Sequence, residues 1–522
     1  MKLPSSSLEI ISRSIFETLA RKFPISCASD EFFYFPQIRL PDIQWSVWDS
    51  YSQGAITELI TRLSIWSNEL DQLTSHEMNR ESAIDIALIK KLIVTLREHL
   101  SEVKVWEHQP SLYLTLSCIG LAEAMDLNDR EIQHERIRGL PAFLDEAQCN
   151  LNHVPVLFRD IGREMISDTR NYFLFLQRRI PELKASLRAL DRFEKTLQCL
   201  STRDDFLLAP ELIERIMSFH INCDMEIQEI DGILDEEIND MKQILYKEAK
   251  NILMNEAPVL NKELIWEEAL QHIHQPDIKK EGVVGLYRQE VDQLKQHCIT
   301  HGFITTQLAA SCPVKVSLMP SYFTAIRASS SYSIMPHYPP TGGIFYISST
   351  QEAHREYKML ASHETYPGHH LLDSTRWNNA RSCRRVIEQP LFYEGWACFA
   401  EELMRLTGYF SDSTDRLLLA KRRLWRAIRG KVDVGLQTGR MDMPTAATYL
   451  HKSGISRERA MSTARKYSLN PGYQLCYSIG LHKFLKLYER YGKNNLHYFI
   501  HTILNQGEIN FLDLEMLLAY KG

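Results

Sequence analysis

The strongest constraint on the fold of this chain is the return of apolar residues every three or four positions over most of its length. From about residue 54 to 135 the pattern is carried by residues such as Ile86, Ile89, Ile93, Leu96 and Leu100, with Lys90, Lys91, Arg97 and Glu98 between them. A period near 3.6 builds helices with one apolar stripe each, and such stripes are buried by stacking helix on helix. Segments near 141–176, 180–201, 209–249 and 257–274 read the same way, with Pro141, Pro181 and Pro210 expected near helix starts, where a missing amide donor is harmless. No fixed-length repeat runs through this half, so a solenoid is not expected.

The texture changes at about 303–350. Val314-Lys315-Val316-Ser317-Leu318 and Ile344-Phe345-Tyr346-Ile347-Ser348 read as strands, and Pro336, Pro339, Pro340, Gly342 and Gly343 mark the turn before the second. Helical periodicity resumes from about Glu352 and continues to Gly522. A small sheet therefore precedes a second set of helices. At 522 residues the chain admits two or three average domains or one large helical enzyme with an appended lobe. The expected division is an N-terminal helical lobe over 1–300 and a region over 301–522 holding the sheet and the chemistry, the two working as one unit.

Sixty basic against sixty-six acidic residues give a formal net charge of −6, so no global field points to nucleic acid or to an anionic membrane, and neither is an expected partner. The clusters Arg384-Arg385 and Lys421-Arg422-Arg423 are expected as solvated helix faces. Ten cysteines without a CxxC pair read as buried thiols rather than as a zinc ribbon or a redox site. Met1-Lys2-Leu3-Pro4-Ser5 leads into a mixed amphipathic run without a signal-peptide core, and no stretch approaches the ~20 apolar residues of a membrane span. The expected setting is reducing and cytoplasmic.

Chemistry concentrates in Ser362-His363-Glu364-Thr365-Tyr366-Pro367-Gly368-His369-His370, which nearly spells HExxH. In that motif two histidines four residues apart on a helix hold zinc, and the Glu between them activates water on the metal. Here Pro367 stands where the second histidine is needed. On a regular helix His363 and His369 would point about 120° apart, while His363 and His370 would share a face about 10 Å apart. Pro367 disfavours helical geometry in Tyr366, and Gly368 permits unusual dihedrals, so a two-residue bulge is expected that pairs His363 with His369. His370 remains the alternative, as a ligand or as a supporting or substrate-binding group. The third ligand of helical zinc peptidases is a Glu on a later helix. Glu394 lies 25 residues after His369 in an otherwise apolar segment, where a carboxylate needs a partner. An ion pair with Arg384 or Arg385 is the competing role for it. Glu364 would face the open side of the metal as general base and acid, and Asp373 and Glu401 are the acidic candidates for orienting the histidines.

His-Glu-x-x-Pro-Gly-His-His followed by Glu-Gly-Trp-Ala resembles the bacterial domain-of-unknown-function family numbered eight-eight-five, regarded as zinc peptidases distantly similar to the gluzincins of the carboxypeptidase and angiotensin-converting-enzyme type. By motif the resemblance covers about Tyr322 to Gly522. Gly343-Ile344-Phe345-Tyr346-Ile347 resembles the family's Gly-x-Phe-Tyr strand, which in gluzincins runs along the cleft and can add a peptide strand, and this makes Tyr346 a candidate substrate-binding residue. Arg426-Ala427 with Asp433-Val434-Gly435, and Tyr467 with Pro471-Gly472-Tyr473-Gln474 and Tyr477-Ser478-Ile479-Gly480, resemble further family segments. By analogy Tyr477 would stabilise the oxyanion, with Tyr473 as runner-up. Gln437, Lys466 and Phe399 depart from the residues usual in the family, His, Arg and Tyr.

The resulting expectation is a mainly α, gluzincin-like two-lobed fold with a small β-sheet lining a cleft. Its function would be zinc-dependent hydrolysis of peptide bonds in short peptides, of carboxypeptidase, dipeptidase or oligopeptidase type. One zinc ion would be held by His363, His369 and Glu394, with Glu364 activating the zinc-bound water and Tyr477 assisting. Arg426, Lys466, Gln474 and Tyr346 are the candidate substrate-binding residues, Arg426 or Lys466 for a peptide's terminal carboxylate. The rival is a catalytically silent helical binding or scaffold protein of the same fold. A di-metal carboxylate bundle would need Glu-x-x-His pairs from two helices and is discounted.

Overall fold

A computed structural model of the chain describes residues 7–40, 42–73, 79–127, 129–253, 265–276, 278, 282–320, 330–334, 341–348 and 354–521. Met1–Ser5, Pro336, Pro339, Pro340, Tyr322, Glu352 and the first part of the expected 257–274 helix lie outside these residues. The architecture is mainly helical. The N-terminal half stacks long helices at Ser7–Lys22, Gln53–Asp71, Arg80–Glu98, Pro110–Asp126, Arg130–Asn150, Val156–Gln177 and Lys184–Cys199. Their apolar faces form one core that runs from Ile15 to Leu197 and takes in Cys383, Val386 and Ile387. Pro110 and Pro210 open their helices and Pro181 opens a short 3-10 turn, as their missing donors favour. Pro141 instead sits inside the helix Arg130–Asn150, in which Ile137, Leu140, Phe143 and Leu144 are all buried, so packing on both sides carries the helix across the proline.

A second core runs from Ile84 to Leu518 and surrounds the chemistry-bearing segments. Its sheet has three strands, β1 (Val314–Leu318), β2 (Ser331–Ile334) and β3 (Gly343–Ile347), in the order β1-β3-β2. β3 pairs parallel with β1, Val314 opposite Gly343, and antiparallel with β2, Ser331 opposite Tyr346. The expected strand around Tyr346 is thus the central one, with both edges already paired. Its proposed role of adding a peptide strand is corrected, and β2, which the sequence reading did not foresee, forms an edge of the sheet instead.

The helices after the sheet are α1 (Tyr357–Glu364), α2 (His369–Arg376), α3 (Pro390–Leu406), α4 (Ser413–Gln437) and α5 (Leu475–Leu487), with others between and beyond them. The helix Ile227–Ile252 packs along α4, and α3 packs along α5. The α3–α5 crossing is made by two glycines. A Cβ on Gly480 would stand 2.3 Å from the Leu391 carbonyl oxygen and 2.6 Å from the Gly395 Cα, and a Cβ on Gly395 would stand 2.6 Å from the Gly480 Cα. Both clashes are with backbone, so no side-chain adjustment relieves them. This contact sets the distance between the helix carrying Glu394 and the helix carrying Tyr477.

Arginines expected on solvated faces are paired instead. Arg384 is buried against Asp85 at 2.7 Å and Glu81 at 2.8 Å, and Arg423 bridges Glu237 at 2.7 Å and Glu402 at 2.6 Å. Most cysteines are buried, but Cys149 and Cys199 are exposed. No helix among the described residues is long and apolar enough to cross a membrane.

Gly480→Ala is expected to destabilise the protein by about 1–3 kcal/mol through overpacking. Gly232→Ala, with nothing within 4 Å of the added Cβ in the helix Ile227–Ile252, should stabilise it by roughly 0.5–1 kcal/mol. Denaturant unfolding of the two variants measures both signs.

Candidate metal centre

The break in the HExxH pattern is a complete interruption between two helices, not a bulge within one. α1 ends at Glu364, the chain turns through Thr365–Gly368 with a cis Tyr366-Pro367 bond, and α2 opens at His369. The turn is wound against the end of α1, since Gly368 N donates to Ser362 O at 3.0 Å and Leu371 N to Thr365 O at 3.2 Å. Only glycine fits at 368, because a Cβ there would meet His363 O at 1.8 Å and Ser362 O at 2.4 Å. From α3, the Trp396 indole N–H donates to Pro367 O at 2.9 Å. The Glu-Gly-Trp run therefore supplies a carboxylate, a helix contact and a clamp on the turn, all from one helix.

The break brings His363 and His369 together, their ring centroids 4.8 Å apart, with Glu394 between them. His363 Nε2 lies 3.5 Å and His369 Nε2 3.6 Å from Glu394 Oε2. One ligand atom from each residue falls within 4.8 Å of the others, and all three residues are buried. Glu394 Oε2 has no hydrogen-bond partner, although it is buried. Bonds of about 2.0–2.2 Å to one tetrahedral ion place donor atoms roughly 3.3–3.5 Å apart, so the two His–Glu spacings fit a single small cation. Two imidazole nitrogens and one carboxylate oxygen are a donor set that zinc takes.

The surroundings fix each ligand. Glu394 Oε1 accepts from the Tyr473 and Tyr477 hydroxyls, each at 2.8 Å, which leaves Oε2 aimed at the histidines. His363 Nδ1 faces Glu401 Oε1 at 3.1 Å, and Glu401 is held by Arg422 at 2.9 and 3.0 Å and by Arg426 at 2.6 Å. The His369 ring stacks on Tyr393 with centroids 4.0 Å apart. Asp373, the other candidate for orienting a histidine, pairs with Arg376 at 2.7 Å and accepts from the Tyr393 hydroxyl at 3.5 Å. Burial raises the Glu394 carboxyl, but the two histidines more than reverse this and hold it well below the usual carboxylate range. Burial likewise opposes ionisation of Glu401, and Arg422 and Arg426 hold it well below that range. Arg384, the expected alternative partner of Glu394, is engaged with Asp85 and Glu81.

The structure separates the two neighbouring histidines. His370 is fully buried, with Nδ1 3.2 Å from the Tyr332 hydroxyl and Nε2 3.0 Å from Cys312 O, and burial lowers its pKa to about 4. It braces α2 against the sheet, away from Glu394. Glu364 takes the Tyr332 backbone N–H of the sheet edge at 2.9 Å, and burial pushes its carboxyl up to about 7.

Beside His363 and Glu364 opens a chamber of about 710 Å³, whose wall includes Tyr477, Trp425, Arg426 and Arg429. The candidate substrate-binding residues fare differently around it. Arg426 reaches the wall, but its guanidinium is committed to Glu401 and approaches His363 Nδ1 at 3.2 Å. Lys466 is exposed and Tyr346 is buried on β3, and neither lines the chamber. Gln474 acts indirectly, its Oε1 accepting from Arg429 Nε at 2.9 Å. Arg429 was the residue missed. The readable signal was the spacing Arg422, Arg426, Arg429, three or four apart on one helix face, which aims all three at the site.

Zinc content after chelator-free purification is expected near one equivalent per chain, the stoichiometry of a single site with three protein ligands and one open position. His369→Ala and Glu394→Ala should each abolish it, whereas His370→Gln should keep it, as read by elemental analysis of folded protein.

Comparison with known proteins bears on the fold. "A putative lipoprotein of unknown function" from Shewanella oneidensis superposes with a TM-score of 0.78 at 15% identity, covering 99% of this chain and 100% of that one. The crystal structure of "the putative lipoprotein" from Colwellia psychrerythraea gives 0.74 at 16% identity, with 99% of each chain covered. Lipoproteins are membrane-anchored rather than cytoplasmic, so these neighbours overturn the cytoplasmic setting expected from the sequence; scattered thiols and the lack of an apolar span carry no information about a lipid anchor. No curated relative matches the chain. The family model described as "Bacterial protein of unknown function (DUF885)" matches residues 41–516, and the chain belongs to that family.

Proposed function

We propose that this protein is a zinc metallopeptidase that hydrolyses short peptides in the chamber beside His363, on a gluzincin-like arrangement with helices around the cleft and the small sheet on one wall. The observation that carries the reading is the convergence of His363, His369 and the unpartnered Glu394 Oε2 next to a second carboxylate, Glu364, at the chamber wall. His363, His369 and Glu394 would hold the ion, and when bound it supplies Lewis acidity toward the peptide carbonyl.

The protein groups then divide the remaining work. Glu364 takes a proton from the attacking water and returns it to the leaving amine nitrogen, so the carboxylate is regenerated at the end of each cycle. The Tyr332 N–H held by its Oε2 fixes the direction of that carboxylate. Two phenols share Glu394 Oε1, and Tyr477 is the one that also faces the chamber. Tyr473 can therefore retain the carboxylate while Tyr477 turns its hydroxyl toward the oxyanion of the substrate. A chamber of about 710 Å³ between packed helices takes short or unfolded peptides, not folded proteins.

The rival reading, a silent scaffold, was motivated by Gln437 and Lys466. Gln437 donates to Tyr467 O at 3.1 Å within the core and Lys466 is exposed, so neither departure touches the chamber wall. The two readings separate on Glu364→Gln. Loss of the base should lower peptide hydrolysis by about 10²–10⁴-fold at unchanged zinc content. Hydrolysis that persists undiminished in that variant, or no hydrolysis by zinc-loaded wild-type protein across a short-peptide library, would remove the peptidase reading.

A further inference from the structure

The chamber wall is strongly cationic. Six arginine and lysine side chains line it against two carboxylates, Glu356 and Glu364. Three of the six are used internally. Lys421 pairs with Glu356, while Arg422 and Arg426 share Glu401 behind His363. Of the other three, Arg355, Arg429 and Arg459, Arg429 is the one that lies over the Tyr477 ring. Among the described residues no carboxylate pairs with it, and its close polar partner is the neutral Gln474 Oε1, which accepts from Nε at 2.9 Å and also from Nη2. A guanidinium has five N–H donors; this oxygen occupies two of them, and the Tyr467 and Tyr477 hydroxyls also lie within hydrogen-bonding reach. The nearby Asp433 is turned elsewhere, its two oxygens accepting from Gly472 N at 3.2 Å and Gln474 N at 2.8 Å.

Arg429 is also held in place. Its guanidinium carbon lies 4.4 Å from the centroid of the Tyr477 ring and 5.6 Å from that of Tyr467. Tyr477 also neighbours His363, with stacked rings 6.5 Å between centroids. Tyr477 thus neighbours both this anchored, half-buried arginine and His363, one of the three candidate ligands. An extended peptide advances about 3.4 Å per residue, so a carboxylate on Arg429 sits within about three residues of a bond at the His363 edge.

We infer that Arg429, positioned by Gln474 and Tyr477, binds the free C-terminal carboxylate of the substrate, which makes the preferred substrates short peptides cut near their C-terminus. The inference rests on the peptidase reading for the word substrate, but not for the binding. The choice of arginine matters, because a planar fork meets a carboxylate with two parallel hydrogen bonds, and a lysine cannot. Gln474 matters because a glutamate in its place would neutralise the fork. The role earlier assigned to Arg426 and Lys466 passes to a residue whose charge is not already satisfied.

The test is equilibrium binding to Glu364→Gln protein loaded with zinc, which keeps the chamber and removes turnover. The probes are N-acetyl-alanyl-alanyl-phenylalanine as the free acid, the same peptide as its carboxamide, and N-acetyl-alanyl-alanyl-glutamyl amide, which carries only a side-chain carboxylate. The free acid should bind at least about ten-fold more tightly than either amide. Adding Arg429→Gln, or Gln474→Glu, which keeps the arginine but supplies an internal counter-charge, should each bring the acid and its carboxamide to within about two-fold of one another. Equal binding of acid and carboxamide in the parent, or a gap that survives both substitutions, overturns the inference. Tight binding of the glutamyl amide at the level of the free acid also overturns it, by assigning Arg429 to an acidic side chain. Hydrolysis by wild-type protein of acid and carboxamide alike would leave the peptidase reading standing and this inference fallen. An acid-selective site without hydrolysis would do the reverse.

Discussion

The structure turns on the burial of Glu394. A carboxylate taken from water without a partner costs several kcal/mol, and among the described residues no arginine or lysine pairs with this one. Two phenols satisfy one oxygen, and the other faces two imidazole nitrogens with no hydrogen bond of its own. Much of the second half of the chain serves that arrangement. The glycine pair at 395 and 480 sets how near α5 can bring its tyrosines to α3, and the Pro367-Gly368 turn sets how near His369 comes to His363. Trp396 ties the two devices together through the Pro367 carbonyl.

A second layer of charge stands behind the first. Glu401, seven residues after Glu394 and on the same face of α3, contacts His363 Nδ1 and is neutralised by two arginines from α4. A carboxylate behind a histidine selects the tautomer that leaves Nε2 free, which is the nitrogen facing Glu394. Arg422 and Arg426 thus hold the carboxylate that faces His363, and of the three arginines on this face of α4, Arg429 is the one that no carboxylate pairs with among the described residues. Arg422 and Arg426, which hold Glu401 beside His363, and Arg429, which lines the chamber, lie on the same face of one helix.

Much of this was legible in the sequence, for physical reasons that also mark the limits. Apolar periodicity locates helices because it records which face is buried, and Val314–Leu318 was read to its boundaries. The grouping of His363, His369 and Glu394 was readable from residue types and separations that suit a metal site, although the three stand on three helices rather than two. The form of the Pro367 break was not, since a bulge and a full interruption place His369 alike in sequence. Pro141 misled because the packing of Leu140 and Phe143 outweighs a missing amide bond. β2 was missed because a four-residue edge strand has no periodicity to show. The charge clusters were misread as solvated because their acidic partners lie far away in sequence, Asp85 for Arg384 and Glu237 for Arg423. The same blindness to distant partners led to Arg426 as the carboxylate receptor, when Glu401 already occupies it.

The most direct measurement of the central claim is an anomalous difference map at the zinc absorption edge from crystals of the chelator-free protein. The account predicts one peak about 2.0–2.2 Å from His363 Nε2, His369 Nε2 and Glu394 Oε2, with His370 still bonded to Tyr332 and Cys312. A peak centred on His370, or a well-ordered triad without one, would contradict it.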